Sequence, residues 1–236
     1  MAELLEVRNL SVSFPGYGKT IHDVSLIIDE QECCGILGYS GAGKSLTAWA
    51  VTGVLPGRPQ VEGQIFLRAQ NGQQQNLMAD PGARRIALSR DIGVIPQNPF
   101  TSLNPAMTCG KQIEEVLKDI QPDRTMRRNQ VMSALSDLTF EEPERIYTAF
   151  PHELSGGQLQ RVVMAMATVT NPRLLIADEP TTALDTVTQD AVLTWMFGWA
   201  SRTGASVLFV SHDLAFLRRY CDLIYIMEEG RLTAHV

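Results

Sequence analysis

Little in this sequence points away from a reduced, aqueous compartment. Its 236 residues hold four cysteines, at positions 33, 34, 109 and 221, with neither a C-x-x-C pair nor a Cys/His ligand spacing. A disulfide scaffold and a structural zinc site are therefore not expected, and buried reduced thiols are. The four histidines include His22, His152 and His235, which stand far apart and form no ligand spacing. No apolar run approaches the roughly 20 residues that a membrane-spanning helix needs. The acidic start, Met1-Ala2-Glu3-Leu4-Leu5-Glu6, has no signal-peptide h-region. A net charge of −6 gives no global attraction for nucleic acid. There is no internal repeat and no disordered tail. A cytosolic chain is expected, with any membrane association supplied by a partner.

What is present suits a globular protein with a large core: 44% hydrophobic and 19% charged residues. A β-rich start is expected over Leu4–Val12, Val24–Ile28 and Gln64–Leu67. Cys33-Cys34-Gly35-Ile36-Leu37 reads as a buried strand whose two cysteines point to opposite faces. Leu46 to Leu55 reads as a helix stopped by Pro56-Gly57, and Asn71 to Asn76 as a polar turn or hairpin tip. From Thr108 to about Phe150 the period turns helical. Ile113, Val116, Leu117 and Ile120 share one face there, and Val131, Leu135 and Leu138 belong to another helix. From Arg173 strands and helices alternate: Leu174–Ala177, Gln189–Ala200, Ser206–Ser211, Leu214–Tyr220 and Leu223–Met227. That alternation implies a largely parallel sheet covered on both faces.

Three segments carry chemistry. Gly38-Tyr39-Ser40-Gly41-Ala42-Gly43-Lys44-Ser45 fits G-x-x-x-x-G-K-[ST], the P-loop pattern, between a strand and a helix that opens at Leu46. Glycines at 38, 41 and 43 let backbone N–H groups and a helix N-terminus close around phosphate oxygens. Lys44 is placed for the β- and γ-phosphates and the Ser45 hydroxyl for Mg²⁺. The strand Leu174–Ala177 then ends in Asp178-Glu179. In a P-loop protein the first carboxylate is placed to hold Mg²⁺, and the second to polarise an attacking water as general base. Without the P-loop, the same pair would read as a charged strand end. Finally, Leu154-Ser155-Gly156-Gly157-Gln158 contains a capping box, with Ser155 at N-cap and Gln158 at N3. Its double glycine exceeds what a cap needs and leaves the helix N-terminus bare for an anion, so the segment can serve both ends.

In this order the pentapeptide Leu154–Gln158 resembles the signature motif of the ATP-binding cassette (ABC) ATPases. Gln97, in Pro96-Gln97-Asn98-Pro99, resembles that family's Q-loop glutamine, which implies contacts to Mg²⁺ and the attacking water and a role in sensing a membrane partner. Ala183-Leu184-Asp185 resembles the D-loop, and His212 the switch histidine at the γ-phosphate. Phe14 resembles the aromatic residue that stacks on adenine, with Tyr17 as a competitor. The resemblance covers essentially the whole chain. Asn98 to Pro105 and Pro151-His152-Glu153-Leu154 look like the peptide/nickel importer branch. That branch commonly continues past the last strand, sometimes with a cysteine cluster for an iron–sulfur centre. This sequence stops at Val236 without one, so no such centre is expected.

The resemblance implies an α/β fold: a P-loop NTPase core with a mixed, largely parallel sheet (about 1–105 and 171–236), an N-terminal antiparallel β subdomain and an inserted helical subdomain (about 106–170). It implies ATP and Mg²⁺ as cofactors, with Lys44, Ser45, Gln97 and Asp178 of one chain and Ser155 and Gly157 of a facing chain around each nucleotide. Each motif occurs once, so a complete site needs a second ATPase, a copy or a paralogue. Two transmembrane permease subunits and, indirectly, an extracytoplasmic solute-binding protein complete the expected importer, with this chain peripheral on the cytoplasmic face of the membrane. A non-transport ABC ATPase acting on ribosomes or DNA would usually carry two fused cassettes or a long coiled coil. A purely regulatory module would be expected to lack Glu179 or His212. The cargo, nickel, another chelated metal or oligopeptide, is left open by the sequence.

Overall fold

The computed structural model describes residues 2–16, 18–69, 71–182 and 184–235. In chain order its elements are β1 (Glu3–Phe14), β2 (Gly18–Asp29), β3 (Cys33–Leu37), α1 (Lys44–Thr52), β4 (Gln60–Arg68), β5 (Gln74–Asn76), α2 (Pro81–Arg90), β6 (Ile92–Ile95), α3 (Pro99–Ser102), α4 (Cys109–Leu117), α5 (Arg124–Asp137) and α6 (Pro143–Thr148). There follow α7 (Gly156–Thr168), β7 (Leu174–Asp178), α8 (Thr186–Thr203), β8 (Ser206–Ser211), α9 (Leu214–Tyr220), β9 (Leu223–Glu228) and β10 (Arg231–His235). They group into two compact units, Met1–Leu88 with Gly204–Val236, and Ser89–Thr203. Among the described residues no helix is long and apolar enough to cross a membrane.

In the first unit β1 pairs antiparallel with both β2 and β4, and β5 extends the order to β2-β1-β4-β5. Val24, Leu26 and Ile28 alternate inward along β2, as the period of a strand requires. The register slips where Asn9 and Asp23 take positive φ, at 49° and 50°, which are short polar side chains tolerant of that region. A second set of strands has the order β10-β9-β3-β8, with β3 parallel to both β8 and β9. The strands β3 and β8 are continuously apolar or small because both faces are covered. Helix α9 lies so close that a Cβ on Gly35 would meet Leu217 Cδ2 at 2.8 Å and Cys221 Sγ at 3.1 Å. Glu229 and Gly230, both at positive φ, turn β9 into β10 as a two-residue hairpin.

The second unit pairs β6 with β7 in parallel and sets the helices α3 to α8 around them. Strand β7 is buried throughout, as its apolar run implies. Helix α7 rests so close to β6 that a Cβ on Gly93 would lie 2.1 Å from the Ala167 carbonyl oxygen. Helices α4 and α5 bury Ile113, Leu117, Val131 and Leu135, and Asp123 caps α5 by accepting from the Met126 amide at 2.9 Å.

Several expectations shift. Helix α1 ends at Gly53, at φ 73°, and not at Pro56-Gly57, because the left-handed glycine closes the last turn first. Helix α4 stops at Leu117, which leaves Ile120 beyond it and Val116 half-buried. The carboxylate of Glu114 is buried on that helix, where apolar periodicity gives no place for it. It accepts a short hydrogen bond from the Tyr147 hydroxyl; burial first and this partner second push the phenol up to about 12. Cys221 is half-buried, whereas Cys33, Cys34 and Cys109 are buried as expected, and all four are free thiols. Cys33 and Cys221 lie with their sulfurs 3.6 Å apart; that hydrogen bond, then burial, raises the Cys33 thiol far above its ordinary range. The elements α2, α3, β6 and β10 carried no sequence expectation, and β5 falls in the segment expected as a polar turn or hairpin tip.

The Gly93 contact yields a test. Gly93→Ala should destabilise the protein by about 1–3 kcal/mol, because the methyl group meets a backbone oxygen that moves only with α7. The check is a lower urea midpoint with an unchanged slope.

Candidate active site

In the first unit the loop from Gly38 to Gly43 joins β3 to α1. Gly41 and Gly43 stand at φ 87° and 107°, where other residues are strained, and a Cβ on Gly38 would meet the Met227 carbonyl at 2.5 Å. Gly43 occupies the N-cap of α1 and offers no side-chain cap. A cap without a side chain leaves the positive end of the helix accessible to an anion. Lys44 is only 4% exposed. Its ammonium donates to the carbonyls of Gly38 at 2.9 Å and Tyr39 at 3.1 Å, curling the loop over itself. Ala42 is buried and Ser40 exposed, and Ser45 and Leu46 are half-buried on the first turn of α1. The β9–β10 hairpin buttresses the loop, with the Gly230 amide donating to Ala42 O at 3.0 Å.

Two more expected residues belong to this unit. His212 is exposed directly after β8, ahead of Asp213, which caps α9 by accepting from the Ala215 amide at 2.7 Å. Phe14 is half-buried at the end of β1, opposite Gly18. Its competitor Tyr17 lies outside the described residues, as does Ala183 of the expected D-loop.

The second unit gathers the carboxylates. Asp178 ends β7 and is 2% exposed. Glu179 follows at φ 44°, an uncommon conformation for glutamate, which turns its side chain out of the strand line. Gln97 lies two residues past β6, the strand paired with β7, and its Nε2 donates to Glu179 Oε2 at 3.3 Å. Thr182 Oγ1 reaches the same oxygen at 3.1 Å. Thr182 carried no expectation; the available signal was its place three residues after Glu179, where a tight turn returns a hydroxyl to its start.

At α7 the capping box forms as expected. Ser155 Oγ accepts from the Gln158 amide at 3.3 Å and Gln158 Oε1 accepts from the Ser155 amide at 3.1 Å. Gly156 and Gly157 differ from the glycines of the first loop. Added Cβ atoms would find Phe100 at 3.5 Å and Thr188 Cγ2 at 3.4 Å, both ordinary contacts. The fold does not demand glycine at either place. Asp185 caps α8, its two carboxylate oxygens accepting from the Thr188 amide at 3.0 Å and hydroxyl at 2.7 Å.

Among the described residues no three His, Cys, Asp or Glu side chains form a metal cluster. The oxygen donors Ser45, Gln97 and Asp178 are hard ligands of the kind Mg²⁺ takes beside phosphate, so the residue types fit the ion.

A glycine loop opening onto an uncapped helix, a buried strand ending Asp-Glu and a capped diglycine helix define a P-loop ATPase of the ATP-binding cassette kind. The chain belongs to the ABC transporter family, whose profile matches residues 21–182. Its fold is that of solved cassettes: it superposes on the ATP-binding cassette MJ0796, in a dimeric post-hydrolysis state bound to ADP and Pi, with a TM-score of 0.83, 26% identity and 98% of each chain covered. The sequence is 36% identical to the oligopeptide transport ATP-binding protein OppD of Bacillus subtilis, over 99% of this chain and 66% of that protein. It is 37% identical to the probable D,D-dipeptide transport ATP-binding protein DdpD of Escherichia coli, over 96% of this chain and 70% of that one. The chain thus spans about two thirds of the length of these relatives.

The two roles of the α7 start can be separated. Ser155→Ala should cost about 1 kcal/mol through the lost cap, whereas Gly157→Ala should be neutral or stabilising by up to about 1 kcal/mol. Thermal denaturation of both variants checks this.

Proposed function

We propose that this chain is the ATP-hydrolysing subunit of a peptide importer, peripheral on the cytoplasmic face of the membrane through two permease subunits. A second ATPase, a copy or a paralogue, faces it across two nucleotides, and an extracytoplasmic binding protein delivers the solute. The observation that carries the enzymatic reading is the Glu179 carboxylate, placed at a strand end by an unusual backbone angle and gripped by Gln97 and Thr182. Such strain persists where the surroundings over-determine it and is concentrated at working sites.

The P-loop amides and the α1 N-terminus bind the phosphates. Lys44 exchanges the Gly38 and Tyr39 carbonyls for β- and γ-phosphate oxygens, so the loop opens as the nucleotide enters. Ser45, Asp178 and Gln97 are the residues that would hold Mg²⁺, and the ion would supply positive charge against the phosphates. Glu179 takes the proton of the attacking water, and His212 contacts the γ-phosphate. Phe14 stacks on adenine. The capped start of α7, Ser155 to Gln158, meets the nucleotide held by the facing chain; glycine at 156 and 157, unneeded for packing, keeps that approach open. Asp185 sits at the same dimer face. The helical subdomain, residues 106–170, and the segment from Gln97 to Pro105 carry the closure of the dimer to the permeases.

The relatives named above are oligopeptide and dipeptide transport proteins, which favours peptide over nickel or another metal chelate as the cargo.

Glu179→Gln should keep ATP binding and lower hydrolysis about 10²–10⁴-fold, the contribution of a general base. Co-purification of this variant from native membranes with Mg-ATP should recover two permeases and a second ATPase. Recovery of ribosomes or DNA-repair proteins, or normal hydrolysis in the assembled complex, would refute the reading. Lys44→Ala should weaken Mg-ATP binding about 10- to 100-fold through lost charged hydrogen bonds; titration calorimetry checks it, and unchanged affinity would sink the assignment.

A further inference from the structure

We propose that Thr182 is a positioning residue for the hydrolytic step: its hydroxyl anchors the Glu179 carboxylate and ties the base to the loop that leads into α8. The proposal rests on the reading of Glu179 as general base.

The geometry begins with the backbone. Glu179 at φ 44° starts a tight turn in which its carbonyl accepts from the Thr182 amide at 3.3 Å. That turn brings the Thr182 hydroxyl back over the residue where it began. Two acceptors are then within its reach, the Glu179 carbonyl at 3.2 Å and Oε2 of the carboxylate at 3.1 Å. One hydroxyl has one proton to give. The charged oxygen is the stronger acceptor, so the proton goes to the carboxylate.

Oε2 therefore takes a donor from each of two loops: Gln97, from the loop after β6, and Thr182, from the loop after β7. Rotation of a glutamate carboxylate about its last torsion is broad and soft. A base must nevertheless meet its proton within hydrogen-bond reach and in line. The donor pair supplies that alignment. Gln97 would also serve Mg²⁺ and water in the proposed function, so the threonine hydroxyl is the donor dedicated to the carboxylate. The same turn is held from its far side, where Gln189 Nε2 donates to Thr181 O at 3.0 Å and Leu184 O at 3.1 Å. A shift of this loop is thus passed through Thr182 to the base.

Thr182 is exposed, so its replacement leaves the core intact. Thr182→Val keeps the branched shape and the backbone amide while deleting the donor, Thr182→Ala deletes the donor with less bulk, and Thr182→Ser keeps it. Hydrolysis is measured on the assembly that co-purifies with the full chain, with Mg-ATP as substrate and melting temperature as the control for folding. The valine and alanine variants should lower kcat about 10-fold, equal to about 1.4 kcal/mol, with KM for ATP and melting temperature unchanged. The serine variant should recover kcat to within about twofold. On the Glu179→Gln background, Thr182→Val should change the residual hydrolysis less than about twofold, since the partner it orients is already disabled. Wild-type kcat in both Thr182→Val and Thr182→Ala would overturn the proposal. So would a loss confined to KM, a serine variant as impaired as valine, or an undiminished valine effect in the Glu179→Gln background. The failures are distinguishable: a fully active Glu179→Gln defeats the base itself, whereas an inactive Glu179→Gln beside a fully active Thr182→Val defeats only the anchor.

Discussion

A buried ammonium must be satisfied, and the first unit is arranged around how Lys44 is. Unpaired burial of such a charge would cost several kcal/mol or strip its proton. Here the loop that precedes the lysine folds back and presents two of its own carbonyls. Only a backbone with glycines at positive φ can make that fold, and only a glycine at 38 can pass beneath the Met227 carbonyl. The hairpin at Glu229-Gly230 completes the support, since its amides donate to Ala42 O and to the Tyr39 hydroxyl. Segments at opposite ends of the sequence therefore hold one loop in a shape that phosphate can replace the carbonyls to occupy.

Two groups of glycines differ in what their surroundings require. Gly35, Gly38 and Gly93 sit where a methyl group would strike helix, strand or carbonyl. Their identity is explained by packing. Gly156 and Gly157 have room for a methyl group and no positive φ. Glycine at the start of a helix carries a propensity cost of up to about 1 kcal/mol against alanine. A cost with no packing return is consistent with close approach of something outside this chain, which is the role proposed for the facing nucleotide.

Much of this was legible in the sequence because the signals were local. The strands β3, β7 and β8 are short apolar runs with small or polar stops, and the motifs at 38–45, 154–158 and 178–179 each carry their spacing with them. What escaped depended on tertiary context. Strand β6 is four residues long and recognisable only by its pairing with β7. Helix α2 buries just Ala87, so it has no apolar stripe to read. Glu114 is buried because Tyr147 answers it from another helix, a pairing no periodicity encodes. Thr182 is the instructive miss: a hydroxyl in a loop is unremarkable until Glu179 adopts a left-handed angle and the turn closes.

Ser155, Gln158 and Asp185 each cap the helix they precede or begin, and each does so through an acceptor oxygen. A cap of this kind is worth about 1 kcal/mol. The cap uses only an acceptor on Ser155 and on Gln158, so a hydroxyl or amide donor on either can meet a nucleotide while the cap stays whole. With the caps intact, these donors, the remaining amides and the glycine backbone can all meet the ligand, because a capped helix still presents other N–H groups and its dipole. On that view the caps fix the direction of α7, and its backbone and side-chain donors share the recognition.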